Sequence, residues 1–256
     1  MKYLFDNLPK INSSVLLMLD FDGTLALIPK YPKHARLSIK TRSLLEKLIK
    51  KFHVAIITGR PLKNIKGKIG IKKGIIYSGV HGYEWQIGKK EESVKVSKIF
   101  LDSLKNAREQ FELLLPEYSC LSVDDKKSCI AVFYRGLKNT ELKSFLFKAY
   151  RIIEKLDKKK LEIIFESQSF ELRPRLNWTK GHFAKFAIKK IQSKIKQNIL
   201  PIYIGDGLTD EDAFKALKKN GITIRVGKSN KSAAQYYLKN QKQVDKFLEW
   251  LTDRKV

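Results

Sequence analysis

The 256-residue chain carries 52 lysines and arginines against 26 aspartates and glutamates, a formal net charge of +26, with 43% hydrophobic and 11% aromatic residues. That much apolar material builds a sizeable core and argues against disorder, and the two cysteines, Cys120 and Cys129, are too few for a disulfide framework, so a reducing compartment is the default. No apolar run approaches the roughly 18 residues of a membrane span, and Val15–Leu19 stops at Asp20 as a strand does, not as a secretory leader; a soluble, cytoplasmic protein of one large domain or two modest ones is expected.

Val15–Leu19 is a continuous apolar run, the pattern of a buried parallel strand. Ser38–Phe52 reads as a helix with Ile39, Leu44, Leu45, Leu48, Ile49 and Phe52 inward and Ser38 as N-cap. Val54–Ile57 and Ile75–Tyr77 are two further buried strands, closing at Thr58-Gly-Arg-Pro61 and Ser78-Gly79. From about Tyr83 to Arg175 the texture changes. Phe100–Leu115 and Glu141–Leu156 are helix-like, Ser128–Arg135 alternates as a strand, and Leu161–Phe165 and Phe170–Arg173 form two strands around Glu166–Ser169. Helix Gly181–Ile195, strand Leu200–Ile204, helix Glu211–Leu217, strand Ile222–Val226 and helix Val244–Leu251 restore the first pattern. The order predicts an α/β fold with a parallel sheet. The core is discontinuous, residues 1–82 and 176–256, and carries an inserted α+β domain at 83–175.

The positive charge is mostly lysine and is spread along the chain, with no basic tail. No RRM, KH, zinc-finger or basic-zipper pattern accompanies it, so it reads as solvated surface rather than a nucleic-acid groove.

In open parallel sheets, ligands collect at the carboxyl ends of the strands. The first strand delivers Asp20-Phe-Asp-Gly-Thr24, the second Thr58-Gly-Arg60, and the later one Gly205-Asp-Gly-Leu-Thr-Asp210. Asp20, Asp22, Asp206, Asp210 and Thr58 thus converge on one edge, and Lys180 at a helix start can face it. Clustered carboxylates need a cation, and hard oxygen ligands suit Mg²⁺. Asp20 and Asp22, two residues apart, fall on one side of an extended chain. One can attack phosphorus, giving an aspartyl-phosphate, while the other moves protons. Thr58 and Lys180, with Gly59 and Arg60, form the candidate phosphate-binding group. Each piece alone has a plain structural reading: a solvated turn for Asp-x-Asp, surface decoration for Lys180, dipole-favoured first-turn acids for Glu211 and Asp212. Their order and common placement favour chemistry.

Asp20-Phe-Asp-Gly-Thr-Leu25, followed in order by Thr58, Lys180, Asp206 and Asp210, resembles the motif set of the haloacid dehalogenase (HAD) superfamily, whose fold is a Rossmannoid core with a cap. Gly79-Val-His-Gly-Tyr-Glu84, Glu171-Leu-Arg-Pro174 with Lys180-Gly181, and Gly205–Phe214 resemble trehalose-6-phosphate phosphatases more finely. The resemblance spans nearly the whole chain. It implies an Mg²⁺-dependent hydrolase that converts trehalose 6-phosphate to trehalose and phosphate. It implies metal ligation by the Asp20 carboxylate, the Asp22 carbonyl and Asp206, with Asp210 in support. It also implies a cap closing over the sugar, with Asp124, Lys126, Arg135 and Glu171 on the disaccharide hydroxyls, and functional pairing with a trehalose-6-phosphate synthase.

The chain departs from the family pattern in three places. Gly207 stands where an aspartate is usual, Asp124 where glutamate is usual, and Phe133 where histidine is usual. The residues leave open a phosphatase for another glycosyl phosphate, such as sucrose phosphate or a glycosyl-phosphoglycerate, a phosphotransferase or mutase, and a basic nucleic-acid-binding protein on an inactive scaffold of this kind.

Overall fold

The structure is a computed structural model that describes residues 1–11, 13–28, 34–166 and 168–254; Ser167 of the expected Glu166–Ser169 connection lies outside them. The chain forms two compact units, one of Met1–Ser93 with Trp178–Val256 and one of Val94–Asn177.

In the first unit the order is β1 (Lys2–Tyr3), β2 (Val15–Leu19), α1 (Ile39–Leu48), β3 (His53–Ile57), α2 (Leu62–Ile69), β4 (Ile75–Gly79), β5 (Glu84–Ile87) and β6 (Lys90–Ser93). In the second it is α3 (Lys98–Glu112), β7 (Ser122–Asp125), β8 (Ile130–Phe133), α4 (Asn139–Lys155), β9 (Leu161–Phe165) and β10 (Ser169–Pro174). The first unit resumes with α5 (Lys180–Ile195), β11 (Leu200–Gly205), α6 (Asp210–Leu217), β12 (Ile222–Val226), β13 (Tyr236–Leu238) and α7 (Gln241–Thr252). Among the described residues no helix is long and apolar enough to cross a membrane.

Among the described residues, the first unit's strands form one sheet in the order β1-β13-β12-β11-β2-β3-β4-β5-β6. Among the described residues it is parallel from β1 through β4, as the unbroken apolar runs predict for β2, β3, β4, β11 and β12, while β1 and β13 add to the expected strands and β5 and β6 are antiparallel. All five residues of β2 are buried. Val15, Leu17 and Leu19 share a core cluster with Leu44, Leu45 and Leu48 of α1 and Val244, Phe247, Leu248 and Leu251 of α7. On α1, Ser38 caps the helix by accepting the Thr41 N–H at 2.9 Å. Ile39, expected inward, is 90% exposed. It precedes buried Thr41 by two residues, about half a turn round the axis, and so falls outside the stripe. Because β2 lies between β3 and β11, the chain leaves it in one direction and later returns on the other side. That reversal opens the crevice at the carboxyl ends of β2 and β11.

The hairpin β5–β6 corrects the expected insertion start at residue 83. Ser78 pairs with Trp85 and Tyr77 with Gln86, so residues 84–93 extend the first sheet. A short strand followed by a charged edge, Lys90-Glu-Glu-Ser93, has too little apolar alternation to be read as a strand. The second unit accordingly runs over 94–177 rather than 83–175.

The second unit is an antiparallel sheet in the order β7-β8-β10-β9. Ile130 and Val132 of β8, with Phe170 and Leu172 of β10, pack against Leu104, Ala107 and Phe111 of α3 and Phe145, Ala149 and Ile153 of α4. The alternation therefore sends Cys129, Ala131 and Phe133 to the other face, together with the residues that pair with them.

Candidate active site

β2 ends at Leu19, the Asp20 N–H still donates to the Ile204 carbonyl of β11 at 2.9 Å, and the chain then turns over Phe21–Leu25. The turn takes Asp22, but not Asp20, out of the strand's alternation, and the two carboxylates take different partners. Gly23 is what permits the turn: its φ is +81°, and a Cβ there would stand 2.2 Å from Asp206 Oδ2.

Lys180, the first residue of α5, is 3% exposed. Its Nζ donates to Asp20 Oδ1 at 2.8 Å and to Asp210 Oδ1 at 2.8 Å. One carboxyl oxygen of each of Asp20, Asp206 and Asp210 lies within 4.8 Å of the others. Asp210 is fully engaged. Its Oδ1 also accepts from the Tyr203 hydroxyl at 2.7 Å, and its Oδ2 accepts from the backbone N–H groups of Asp206 at 3.0 Å and Gly207 at 2.9 Å. Asp210 thus fixes Lys180 and the loop after β11 rather than turning a lone pair to a ligand. Asp206 Oδ1 accepts from Thr24 Oγ1 at 3.1 Å. At position 207 the bond to Asp210 uses the backbone amide, so the departure to glycine leaves that bond in place.

The electrostatics follow from burial. Desolvation, then the neighbouring charges of Asp210 and Asp206, push the Asp20 carboxyl well above its ordinary value against the pull of Lys180. Asp206 is pushed up to about 7, by burial first and by Asp210 next. Burial opposes the Lys180 charge, but Asp20 and Asp210 outweigh it and hold the ammonium above its usual range. The Tyr203 phenol is raised by burial and then by Asp210, so it is a donor to that carboxylate. Asp20 and Asp206 together are short of positive charge, the condition a divalent cation corrects.

The second group sits at the ends of β2 and β3. Asp22 accepts from Arg60 Nε at Oδ2 and from Nη2 at Oδ1, both 2.6 Å. Thr58, 1% exposed, caps the next turn: its Oγ1 accepts the Arg60 N–H at 3.3 Å. Gly59 lies against the buried ring of His81.

The four sugar-binding candidates all lie in the second unit. Asp124 on β7 and Glu171 on β10 both stand opposite Ala131, so they flank it on the face away from α3 and α4. Lys126, in the turn after β7, is 8% exposed and its Nζ donates to Glu171. Phe133 shares that face. Arg135 is half-buried in the turn after β8.

Sequence reasoning assigned no role to Tyr203, Thr24, His81 or Glu84. Tyr203 left a trace: a phenol within the apolar strand Leu200–Gly205 must find a buried partner. Glu211, read as a first-turn acid, is structural: it pairs with Arg225 at 3.2 Å and accepts the Ala233 N–H at 2.7 Å.

A family model described as trehalose-phosphatase matches residues 18–244. Trehalose-phosphate phosphatase B of Arabidopsis thaliana is 28% identical over 253 residues, covering 94% of this chain and 67% of that protein. The C-terminal domain of the C. albicans trehalose-6-phosphate phosphatase matches with a TM-score of 0.79 at 23% identity, over 93% of this chain and 92% of that one. A trehalose-6-phosphate phosphatase related protein matches with a TM-score of 0.73 at 23% identity, over 93% of this chain and 96% of that one. The two structures bear on the fold, which is the HAD-like α/β arrangement. The family match begins inside β2 and ends in α7, taking in every strand end and helix start that bears on Lys180, and by it the chain belongs to the trehalose-phosphatase family of hydrolases.

Proposed function

We propose that the chain hydrolyses trehalose 6-phosphate to trehalose and phosphate through an aspartyl-phosphate on Asp20, with Mg²⁺ held by Asp20, the Asp22 carbonyl and Asp206. Family membership supports the substrate class. The observation that carries the chemistry is the buried ammonium of Lys180 between Asp20 and Asp210, 2.8 Å from each. It orients one oxygen of Asp20 and adds positive charge where phosphoryl oxygens gain negative charge.

The donor set fits the ion: carboxylate oxygens clustered within 4.8 Å, with Asp206 raised to about 7 by burial and by Asp210. When bound, Mg²⁺ neutralises these carboxylates and the phosphate. Asp20 then forms a bond to phosphorus as the bond from phosphorus to the sugar oxygen breaks. Asp22, protonated on the oxygen released when Arg60 turns to the phosphate, gives that proton to the departing alkoxide and later takes one from the water that attacks the aspartyl-phosphate. Thr58, Gly59, Arg60 and Lys180 hold the phosphoryl oxygens.

To the second unit we assign sugar recognition. Asp124, Lys126, Arg135 and Glu171 each offer charged donors or acceptors able to hold hydroxyl pairs, and lose partners when the wrong sugar binds. We further assign the whole unit as the cap, a synthase as the upstream partner, and the cytoplasm as the location.

The test is phosphate release from trehalose 6-phosphate by the purified protein with Mg²⁺, repeated after chelation and in Asp20→Asn. Release that disappears in both supports the mechanism, and undiminished turnover of Asp20→Asn overturns it. Equal release from sucrose 6-phosphate or a glycosyl-phosphoglycerate overturns the specificity while leaving the hydrolase chemistry intact.

A further inference from the structure

We propose that the turn Val80–Gly82 is a positioning element for the phosphoryl-holding loop Thr58–Arg60, with His81 as its central side chain; this rests on the reading of that loop given above. The turn grips the segment after β3 at successive points. The His81 N–H donates to the Thr58 carbonyl at 2.9 Å and the Val80 N–H to the Arg60 carbonyl at 2.9 Å. Two residues past the turn, the Glu84 carboxylate accepts the Leu62 N–H at the start of α2. Between these points Gly59 lies on the imidazole, where a Cβ would come within 2.6 Å of His81 Cε1.

On its other side the same turn meets the start of α5. Trp178 Nε1 donates to the Gly82 carbonyl at 2.7 Å. A Cβ on Gly82 would stand 2.8 Å from Phe183 Cβ. Lys180 lies between Trp178 and Phe183 in the chain. One turn therefore touches both the loop carrying Thr58 and Arg60 and the helix carrying Lys180, and it sets the distance between them.

The backbone bears this out. Val80 has φ 45° and His81 φ 57°. Two successive non-glycine residues in the left-handed region, one of them β-branched, are costly. Such conformations persist where the surroundings over-determine them, and they concentrate at functional sites. Here the bonds to Thr58, Arg60 and Trp178 are those surroundings. His81 is 6% exposed and acts through Gly59. It is a positioning residue for the phosphoryl group.

The experiment compares the parent with Gly59→Ala, His81→Ala, the Gly59→Ala/His81→Ala double variant and Trp178→Phe. Phosphate release is measured on trehalose 6-phosphate and on p-nitrophenyl phosphate. Amide hydrogen exchange is followed in the peptide spanning residues 58–62, and thermal unfolding is recorded for each protein. His81→Ala is expected to lower kcat on both substrates by the same factor, about 100-fold, the usual effect of a misplacement near 1 Å. The KM for trehalose 6-phosphate stays near the parent's, and exchange quickens in residues 58–62 while α7 is unchanged. The double variant costs no more than His81→Ala alone, because the added methyl enters the space the imidazole leaves. Trp178→Phe gives a smaller loss in the same direction, and it decides the matter if His81→Ala fails to fold. Parent-like kcat and exchange in His81→Ala, or single losses that multiply in the double variant, overturn the proposal. If the parent releases no phosphate but exchange still quickens in residues 58–62 of His81→Ala, the assigned activity falls and the grip of the turn on that loop stands.

Discussion

Arg60 holds both carboxylate oxygens of Asp22, Nε and Nη2 each donating across 2.6 Å. The guanidinium also lies over the Phe21 ring, 5.4 Å from its centroid. This fork joins the strand end that carries the proposed nucleophile to the strand end that carries the proposed phosphate loop. It also sets a condition on catalysis. A carboxyl that hands a proton to an alkoxide needs one oxygen disengaged, and the substrate's phosphate is the acceptor best matched to the guanidinium in its place.

Arg60→Lys keeps the charge and loses the fork. At about 1.5–3 kcal/mol for a hydrogen bond to a charged group, kcat/KM is expected to fall about 10–100-fold. The loss is equal on trehalose 6-phosphate and p-nitrophenyl phosphate, because only the phosphoryl end is affected. Steady-state kinetics on the two substrates check this, and a loss confined to the sugar substrate would contradict it.

Lys180→Met preserves most of the side-chain volume but leaves Asp20 and Asp210 buried without their cation. Removing one partner of a buried ion pair costs about 3–5 kcal/mol, to be read from the midpoint of chemical unfolding. Adding Asp210→Asn is expected to return part of that stability and none of the activity, since the ammonium beside Asp20 is still absent.

Asp206 gives the protein a pH dependence with a definite sign. Its carboxyl is pushed up to about 7 in the folded chain by burial and by Asp210, against an ordinary value of 3.8. Between those two values the folded state binds the extra proton, so without metal its contribution favours folding at low pH and is lost as pH rises through 7. A divalent ion needs the ionised form. The rise in melting temperature on adding Mg²⁺ is therefore expected to be small at pH 5.5 and large at pH 8. A shift that shrinks with rising pH would exclude Asp206 as a ligand.

Lys126 and Glu171 pair on the second unit's face away from α3 and α4, with side-chain exposures of 6% and 13%. Glu171→Gln keeps the shape and removes the charge. It is expected to raise KM for trehalose 6-phosphate by about 10-fold or more, as loss of a charged hydrogen bond predicts, with p-nitrophenyl phosphate hydrolysis unchanged. A parallel loss on both substrates would place Glu171 outside sugar recognition.

Much of this was legible in the sequence because period and burial are local. Val15–Leu19, Val54–Ile57 and Leu200–Ile204 are apolar on both faces, which only a strand covered by helices on either side requires. The polar residues after them then had to lie at the sheet's carboxyl edge. The alternation over Cys129–Phe133 likewise separated the helix-facing residues of β8 from the rest. The order of strands was not local. Lys180 meets Asp20 across 160 residues and Thr24 meets Asp206 across 182, and those meetings exist because β11 lies beside β2. Partner choice belongs to the tertiary structure as well. Asp20 and Asp22 look alike in sequence, yet the turn at Gly23 directs one to Lys180 and the other to Arg60. Tyr203 became the donor to Asp210, Ile39 fell outside the helix stripe, and the left-handed pair Val80–His81 took its shape from the chains packed around it. Periodicity determines which face of a segment is buried; which distant group that face meets is decided only when the segments pack.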